Sequence, residues 1–415
     1  MPSVCFYFQV HQPLRVKRYR IFNVGVDSEY FNDDSDTPLN NGKIFKKVAD
    51  KSYLPTNAVL LELLEKHPDF KISFSLSGVF LEQAKKYAPE VIDSFKKLVD
   101  TGRAEILSET YHHSLSFLYS KPEFRRQVQL HKRMVKELFG VTPKVFRNTE
   151  LIFNNDLAYE AEGLGFDGVL AEGADHILGW RSPNFLYRPK DTKKIKLLMK
   201  NYRLSDDIAF RFSSKEWGEY PLTAPKFADW VSSINGTGEI INLFMDYETF
   251  GEHQWEDTGI FNFLKHLPGE ILKHPDNNFV TPSEAIAKFD TKGEIDIPHF
   301  ISWADTERDL SAWLSNPMQK DAMRKVYDLE QAIFSLDDPE LIDTWRKMTT
   351  SDHFYYMCTK WWSDGDVHKY FSPYDSPYDA FINYMNALTD LKLRMENKQR
   401  SKEISRKSFE DYLRI

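Results

Sequence analysis

Two short stretches of this chain place carboxylates where apolar runs end. Val145-Phe146-Arg147-Asn148-Thr149-Glu150-Leu151 carries a glutamate close to an arginine. Leu243-Phe244-Met245-Asp246-Tyr247-Glu248-Thr249-Phe250-Gly251-Glu252-His253 is the densest polar run behind an apolar one. A nearby cation favours the ionised form of a carboxyl group, as a nucleophile requires. Two crowded carboxylates repel each other and raise the proton affinity of one, as a general acid requires. Period-two alternation would turn Asp246 and Glu248 to the same side. Two carboxyl groups in those opposite states are what cleavage of a glycosidic bond uses. The residues alone leave a second reading open at each place. At Glu150 it is a buried Arg–Glu pair that only braces the fold; at Asp246 and Glu248 it is a charged loop.

Further polar residues sit behind other apolar runs. His11 and Gln12 close the first, Glu109, Tyr111, His112 and His113 follow the third, and Glu172 and Asp175 follow the fifth. A lone histidine such as His11 is more often a hydrogen-bonded core residue than a catalyst, and it lacks partners at metal-ligand spacing. Adjacent residues of a strand face opposite ways, so His112 and His113 do not converge on one ion. No metal and no cofactor is expected. The absence of a glycine-rich phosphate loop after the first run counts against dinucleotide binding.

The elements that would carry these residues alternate. Apolar runs at 4–11, 70–78, 104–110, 144–151, 166–171, 195–202 and 239–247 predict strands, and amphipathic stretches at 56–67, 89–100, 122–139 and 156–164 predict helices among them. The first run is almost continuously apolar, as in a strand buried on both faces. Such alternation predicts an α/β fold with a parallel barrel, in which functional residues gather at the C-terminal ends of the strands. From about His299 the strand signals fade, and 317–334, 339–348 and 377–395 read as helices. The charged end, 397–415, reads as a surface helix or a partly disordered tail. The expected organisation is a catalytic barrel over 1–298 and a helical domain over 299–415 that completes the active site.

Composition narrows the partners. The 415 residues carry a net charge of -8 with no basic stripe, which argues against a nucleic-acid partner. No apolar run approaches the roughly 18 residues needed to span a bilayer, so no membrane partner is expected. The start, Met1-Pro2-Ser3-Val4, lacks the basic and small-residue features of a secretory signal. Cys5 and Cys358 are too few for a disulfide framework. A cytoplasmic location is expected. Aromatics make up 14% of the chain, which suits a large core and also the flat faces that sugar clefts use.

Taken together, the motifs resemble glycoside hydrolase family 57, the α-amylase and 4-α-glucanotransferase family built on an incomplete parallel (β/α)7 barrel. That family is marked by five short regions. His11-Gln12-Pro13 is similar to the first, and Gly102-Arg103-Ala104-Glu105-Ile106-Leu107-Ser108 with the following Glu109-Thr110-Tyr111-His112-His113 to the second. Phe146-Arg147-Asn148-Thr149-Glu150-Leu151 resembles the third, although the usual third region carries more tryptophan. Met245-Asp246-Tyr247-Glu248-Thr249-Phe250-Gly251 resembles the fourth, and residues 355–362 loosely resemble the fifth. Trp303-Ala304-Asp305-Thr306-Glu307-Arg308-Asp309 is similar to a segment that borders the active site in amylase-like members.

The resemblance implies a retaining double displacement with Glu150 as nucleophile and Asp246 as general acid/base, their carboxyl groups about 5–5.5 Å apart. It implies a substrate-binding set of His11, Gln12, Glu109, His112, Arg147, Glu248, His253, Trp255, Trp303 and Asp305. Within it His11 binds a sugar hydroxyl, and Trp303 or Trp255 forms a stacking wall. The implied substrate is an α-1,4-glucan or maltooligosaccharide, and the implied activity is α-amylase-like hydrolysis. Alternatives are a 4-α-glucanotransferase or α-galactosidase on the same site, or a catalytically silent glucan-binding homologue. A metal-dependent polysaccharide deacetylase needs an aspartate and two histidines around its ion, and the chain has no His-x-x-x-His pair.

Overall fold

A computed structural model of the chain describes residues 2–360 and 367–412. Its strands are β1 (Ser3–Val10), β2 (Ile72–Leu76), β3 (Ala104–Ile106), β4 (Val145–Arg147), β5 (Gly168–Ala171), β6 (Leu186–Pro189), β7 (Lys196–Met199), β8 (Ile240–Asp246), β9 (Asn278–Phe279) and β10 (Thr291–Ile295). One sheet runs β3-β2-β1-β8, with β9 also on β1, and the other runs β10-β6-β7-β5-β4. A parallel bridge between Ser108 and Phe146 joins β3 to β4. The curl therefore reads β8-β1-β2-β3-β4-β5-β7, all parallel, and each of these answers to one of the predicted strands.

Between β7 and β8 the ladder gives way to two bonds, Asn201 N–H to the Asn242 carbonyl (2.8 Å) and the Asn242 amide to the Met199 carbonyl (2.9 Å). This is the open seam of an incomplete barrel. Strands β6, β9 and β10 were not predicted. Residues β6 and β7 pair antiparallel at Tyr187 and Leu197, and β10 is exposed along its middle, so neither apolar run nor alternation marks it.

Alternation within β1 divides its side chains between two layers. Cys5 and Tyr7 point into the barrel with Leu107, Val145, Leu151, Leu170, Leu198 and Phe244. Phe6 and Phe8 pack instead on the outer layer, where ring contacts link them to Phe70, Phe74, Phe279 and Phe250. Both layers exclude water, which is why this strand reads as a continuous apolar run. The helix Pro89–Asp100 buries Val91, Ile92, Phe95, Leu98 and Val99, and it begins on a proline that has no N–H to leave unpaired.

The chain forms two compact units. The barrel unit comprises Met1–Gln12, Phe45–Tyr111 and Pro122–Leu310, and the other comprises Pro13–Ile44, His112–Lys121 and Ser311–Ile415. The second unit is helical, with helices at Pro317–Asp328, Glu330–Leu336, Pro339–Met348, Ser351–Tyr355 and Pro377–Tyr412. The predicted helix 317–334 is thus two helices that meet at Leu329. The last helix runs well past 395, to Tyr412. Within this unit Trp345 is buried and its indole N–H donates to the Val326 carbonyl (2.7 Å). Backbone Tyr19 and the Tyr30 hydroxyl are tied to Asn383 and Asp390 of the long helix. Of the fifth region, Trp361 and Trp362 lie outside the described residues. No helix among the described residues is long and apolar enough to cross a membrane.

Candidate active site

The C-terminal ends of the barrel strands carry the polar residues picked out in the sequence. After β1, the His11 ring Nδ1 is 2.6 Å from the Ser77 hydroxyl, which follows β2. The Gln12 carbonyl accepts a hydrogen bond from the Gln83 amide (2.6 Å). Inside the barrel the Gln9 amide donates to Glu109 (3.1 Å), and the Gln9 carbonyl oxygen accepts from Tyr7 (2.8 Å) and Ser75 (3.0 Å). Glu109 is fully buried at the end of that chain of bonds.

After β4 the backbone does something rare. Glu150 and Leu151 are consecutive non-glycine residues in the left-handed region, at φ 58° and 49°. Each such residue costs about 1–3 kcal/mol, so the surroundings must hold the turn in place. Leu151 is fully buried, its N–H donates to the Asn148 carbonyl (3.0 Å), and the Asn148 amide donates to the Ile152 carbonyl (2.9 Å). Outside the turn, Phe153 and Ile301 exchange backbone hydrogen bonds in an antiparallel bridge, and the Trp303 N–H donates to the Glu150 carbonyl (3.2 Å). The same Trp303 donates its indole N–H to the Glu150 carboxylate (2.9 Å).

Arg147, at the end of β4, is fully buried, and its three guanidinium nitrogens have no hydrogen-bond partner among the described residues. The buried Arg–Glu pair left open by the sequence is therefore not what Arg147 forms. Its guanidinium lies 4.8 Å from the centre of the Trp303 ring, a cation–π contact on the residue that holds Glu150. Trp303 packs on the barrel's apolar interior and meets Lys200 as well, 5.5 Å from its ring centre.

The end of β8 differs from the expectation drawn from alternation. The strand stops at Asp246, and Tyr247–Thr249 is a turn of 3-10 helix, so period two does not relate Asp246 to Glu248. Glu248 is buried, accepts a hydrogen bond from the Tyr53 hydroxyl (2.5 Å) and another from the His11 backbone. Burial first and the neighbouring Asp246 second push its carboxyl up to about 8. For Glu248, desolvation thus outweighs repulsion as the cause. Register places Asp246 beside Gln9 of β1.

Farther along this loop, burial pushes the His253 imidazole down to about 4. Trp255 is 54% exposed, lies under Lys51 and lines a groove of about 760 Å³ with Pro55, Phe261 and Asp257. Gly251 has φ 102°, and a Cβ there would meet the Lys51 carbonyl at 1.9 Å, so the loop admits only glycine at that point. Asp305 also sits in the left-handed region, at φ 56°. His112 belongs to the second unit, where its Nε2 is 3.9 Å from Asp343. Burial opposes ionisation of Asp343, but hydrogen bonds from His112 and Lys347 carry its carboxyl down to about 2.

Four site residues escaped the sequence reading. Lys200 and Arg308 both reach the buried carboxylate of Glu172, and Tyr53 and Ser77 bond Glu248 and His11. Lys200 lies inside the predicted strand 195–202, directly behind its apolar Leu197-Leu198-Met199. Ser77 likewise stands behind the apolar part of the predicted strand 70–78, whereas Tyr53 and Arg308 lie in segments with no strand to mark them.

The molecule is an incomplete parallel barrel with carboxylates at the C-terminal ends of its strands. The model of glycosyl hydrolase family 57 matches residues 5–298, and the chain belongs to that family: it is a glycosidase. A putative α-amylase of Methanocaldococcus jannaschii is 47% identical over 398 residues, covering 93% of this chain and 83% of that protein. An α-amylase of Pyrococcus abyssi is 24% identical over 63% of this chain and 39% of its own length. Among solved structures, a family 57 branching enzyme of Pyrococcus horikoshii superposes with a TM-score of 0.68 at 16% identity, over 89% of this chain and 87% of that one. The last likeness speaks for the fold alone.

Proposed function

We propose that this glycosidase cleaves α-1,4-glucans with retention, Glu150 acting as nucleophile and Asp246 as general acid/base. The observation that carries the reading is the Trp303 indole N–H on the Glu150 carboxylate, a bond that stabilises negative charge on a side chain held by a strained turn. Glu150 follows β4 and Asp246 ends β8, and β1, β2 and β3 lie between these two strands along the curl. The naming of the Methanocaldococcus jannaschii relative as a putative α-amylase supports the substrate class.

In the first step a Glu150 oxygen attacks the anomeric carbon, the glycosidic C–O bond breaks, and Asp246 gives its proton to the leaving oxygen. In the second, Asp246 takes a proton from water, whose oxygen displaces Glu150 and restores both carboxyl groups. A sugar hydroxyl in place of water would give transfer. His11, Gln12, Glu109, Arg147, Glu248, His253, Trp255 and Asp305 are proposed to line the substrate path.

Incubation with maltoheptaose, beside Glu150→Gln and Asp246→Asn, tests the reading. Shorter oligosaccharides from the wild type alone are the expected result. Products both longer and shorter than the substrate would make the chain a 4-α-glucanotransferase on the same pair. Wild-type turnover in either variant, or no turnover of maltoheptaose at all, would contradict the proposal.

A further inference from the structure

A second cluster of charge lies behind Trp303, and the proposed reaction leaves it without a task. Glu172, at the end of β5, is fully buried and receives Arg308 at 3.0 Å and Lys200 at 3.6 Å. Lys200, at the end of β7, is almost completely buried and also reaches Asp206 at 3.0 Å. The two strand ends are pressed together here, since a Cβ on Gly173 would meet the Lys200 carbonyl at 2.1 Å. Burial opposes the charge on Lys200, but Asp206 and Glu172 more than restore it and hold its pKa above the usual lysine value. A buried set of ions is seldom the most stable way to fill such a space, because desolvation offsets much of the attraction. Its presence calls for a role other than stability.

Arg308 supplies that role by its place in the chain. Its carbonyl accepts from the Ser302 N–H (3.0 Å), and the Ser302 hydroxyl donates to the Asp309 carbonyl (2.6 Å), so residues 302–309 form a closed loop. Arg308 sits in that loop in the left-handed region, at φ 51°, with its guanidinium 3.8 Å over the Tyr202 ring and paired to Glu172. Trp303 is the second residue of the loop, and Lys200 meets its ring.

We infer that the buried Glu172–Arg308–Lys200 cluster positions Trp303, and through it the carboxylate of Glu150. Arg308, Glu172 and Lys200 are then positioning residues. The inference rests on the reading of Glu150 as nucleophile for its catalytic consequence, but its structural content is open to a separate readout.

That readout is the indole N–H signal of Trp303 in protein labelled with 15N-tryptophan, assigned by its loss in Trp303→Phe. Glu150→Gln weakens the acceptor and moves the signal, which gives a reference position. Arg308→Gln and Glu172→Gln are expected to move it in the same direction, and Arg308→Lys to bring it part of the way back. A Trp303 signal that stays at its wild-type position in folded Arg308→Gln or Glu172→Gln overturns the inference. Should Arg308→Gln fail to fold, Arg308→Lys and Glu172→Gln carry the comparison.

Kinetics supply the second arm. Arg308→Gln is expected to lower kcat about 10-fold with little change in KM, and to cost almost nothing further in a Trp303→Phe background. Losses that simply multiply would mean that Arg308 acts elsewhere and would overturn the inference. Wild-type turnover in Glu150→Gln would instead remove the nucleophile reading, while the indole signal would still decide whether the cluster positions Trp303.

Discussion

At the end of β4 the chain turns through two left-handed residues, is pinned by backbone bonds to residues 301–303, and presents a carboxylate to an indole N–H. At the end of β8 it winds into a short 3-10 turn, and the carboxyl group that follows Asp246 is buried under a tyrosine hydroxyl and carries a proton well above the usual carboxylate range. Cations stand near the first place, with Arg147 and Lys200 at the Trp303 ring. The charge that acts on Glu248 is another carboxylate, that of Asp246. One barrel therefore offers two local climates, one suited to negative charge and one to holding protons. The proton at the second place belongs to Glu248, the neighbour of the proposed acid Asp246.

The division can be broken most severely at Glu150. Glu150→Gln is expected to lower kcat on both maltoheptaose and α-maltosyl fluoride by about 10³-fold or more, measured by product formation. Asp246→Asn sharpens the contrast. Its loss on maltoheptaose should be about 10²–10⁴-fold, the range for general acid catalysis, while α-maltosyl fluoride should form the glycosyl-enzyme at a rate much nearer the wild type. Fluoride leaves without a proton, so equal losses on the two substrates would remove the acid role from Asp246.

A smaller effect tests the climate around Glu248. Its carboxyl is raised from 4.5 to about 8 in the folded chain, so the folded state binds the proton more tightly than the unfolded chain. The stability this contributes is complete below pH 4.5 and is lost as pH rises toward 8. Relative to Glu248→Gln, the wild type should therefore lose on the order of 1 kcal/mol per pH unit across that window, as read by denaturant unfolding. A difference between the two proteins that does not change with pH would show that Glu248 is ionised. Tyr53→Phe should have the mildest consequence, about 1 kcal/mol of stability from one lost hydrogen bond.

The sequence made the parallel strands of the curl legible because both of their faces are buried, which leaves unbroken apolar runs such as 4–11 and 239–247. It also pointed to Glu150, Asp246, Glu109 and Glu172, since a polar residue directly after such a run must emerge at one edge of the sheet. Strand β10 stayed hidden because its side chains face solvent and show no pattern. The bond from Trp303 to Glu150 stayed hidden for a different reason: 153 positions separate the two residues, and only the pairing of Phe153 with Ile301 brings them together. Alternation misplaced Glu248 because the strand ends at Asp246, two residues before it. Arg147 was expected to act on Glu150 directly, whereas its buried guanidinium faces the indole that holds that carboxylate.

The most direct test is to identify the carboxylate that forms the glycosyl-enzyme. The wild-type protein would be treated with 5-fluoro-α-glucosyl fluoride, which lets the intermediate accumulate, then digested with pepsin and mapped by mass spectrometry. A single label on the peptide containing Glu150, absent in Glu150→Gln, is the result expected. A label on Asp246, Glu248 or Glu109 would contradict the assignment of the nucleophile.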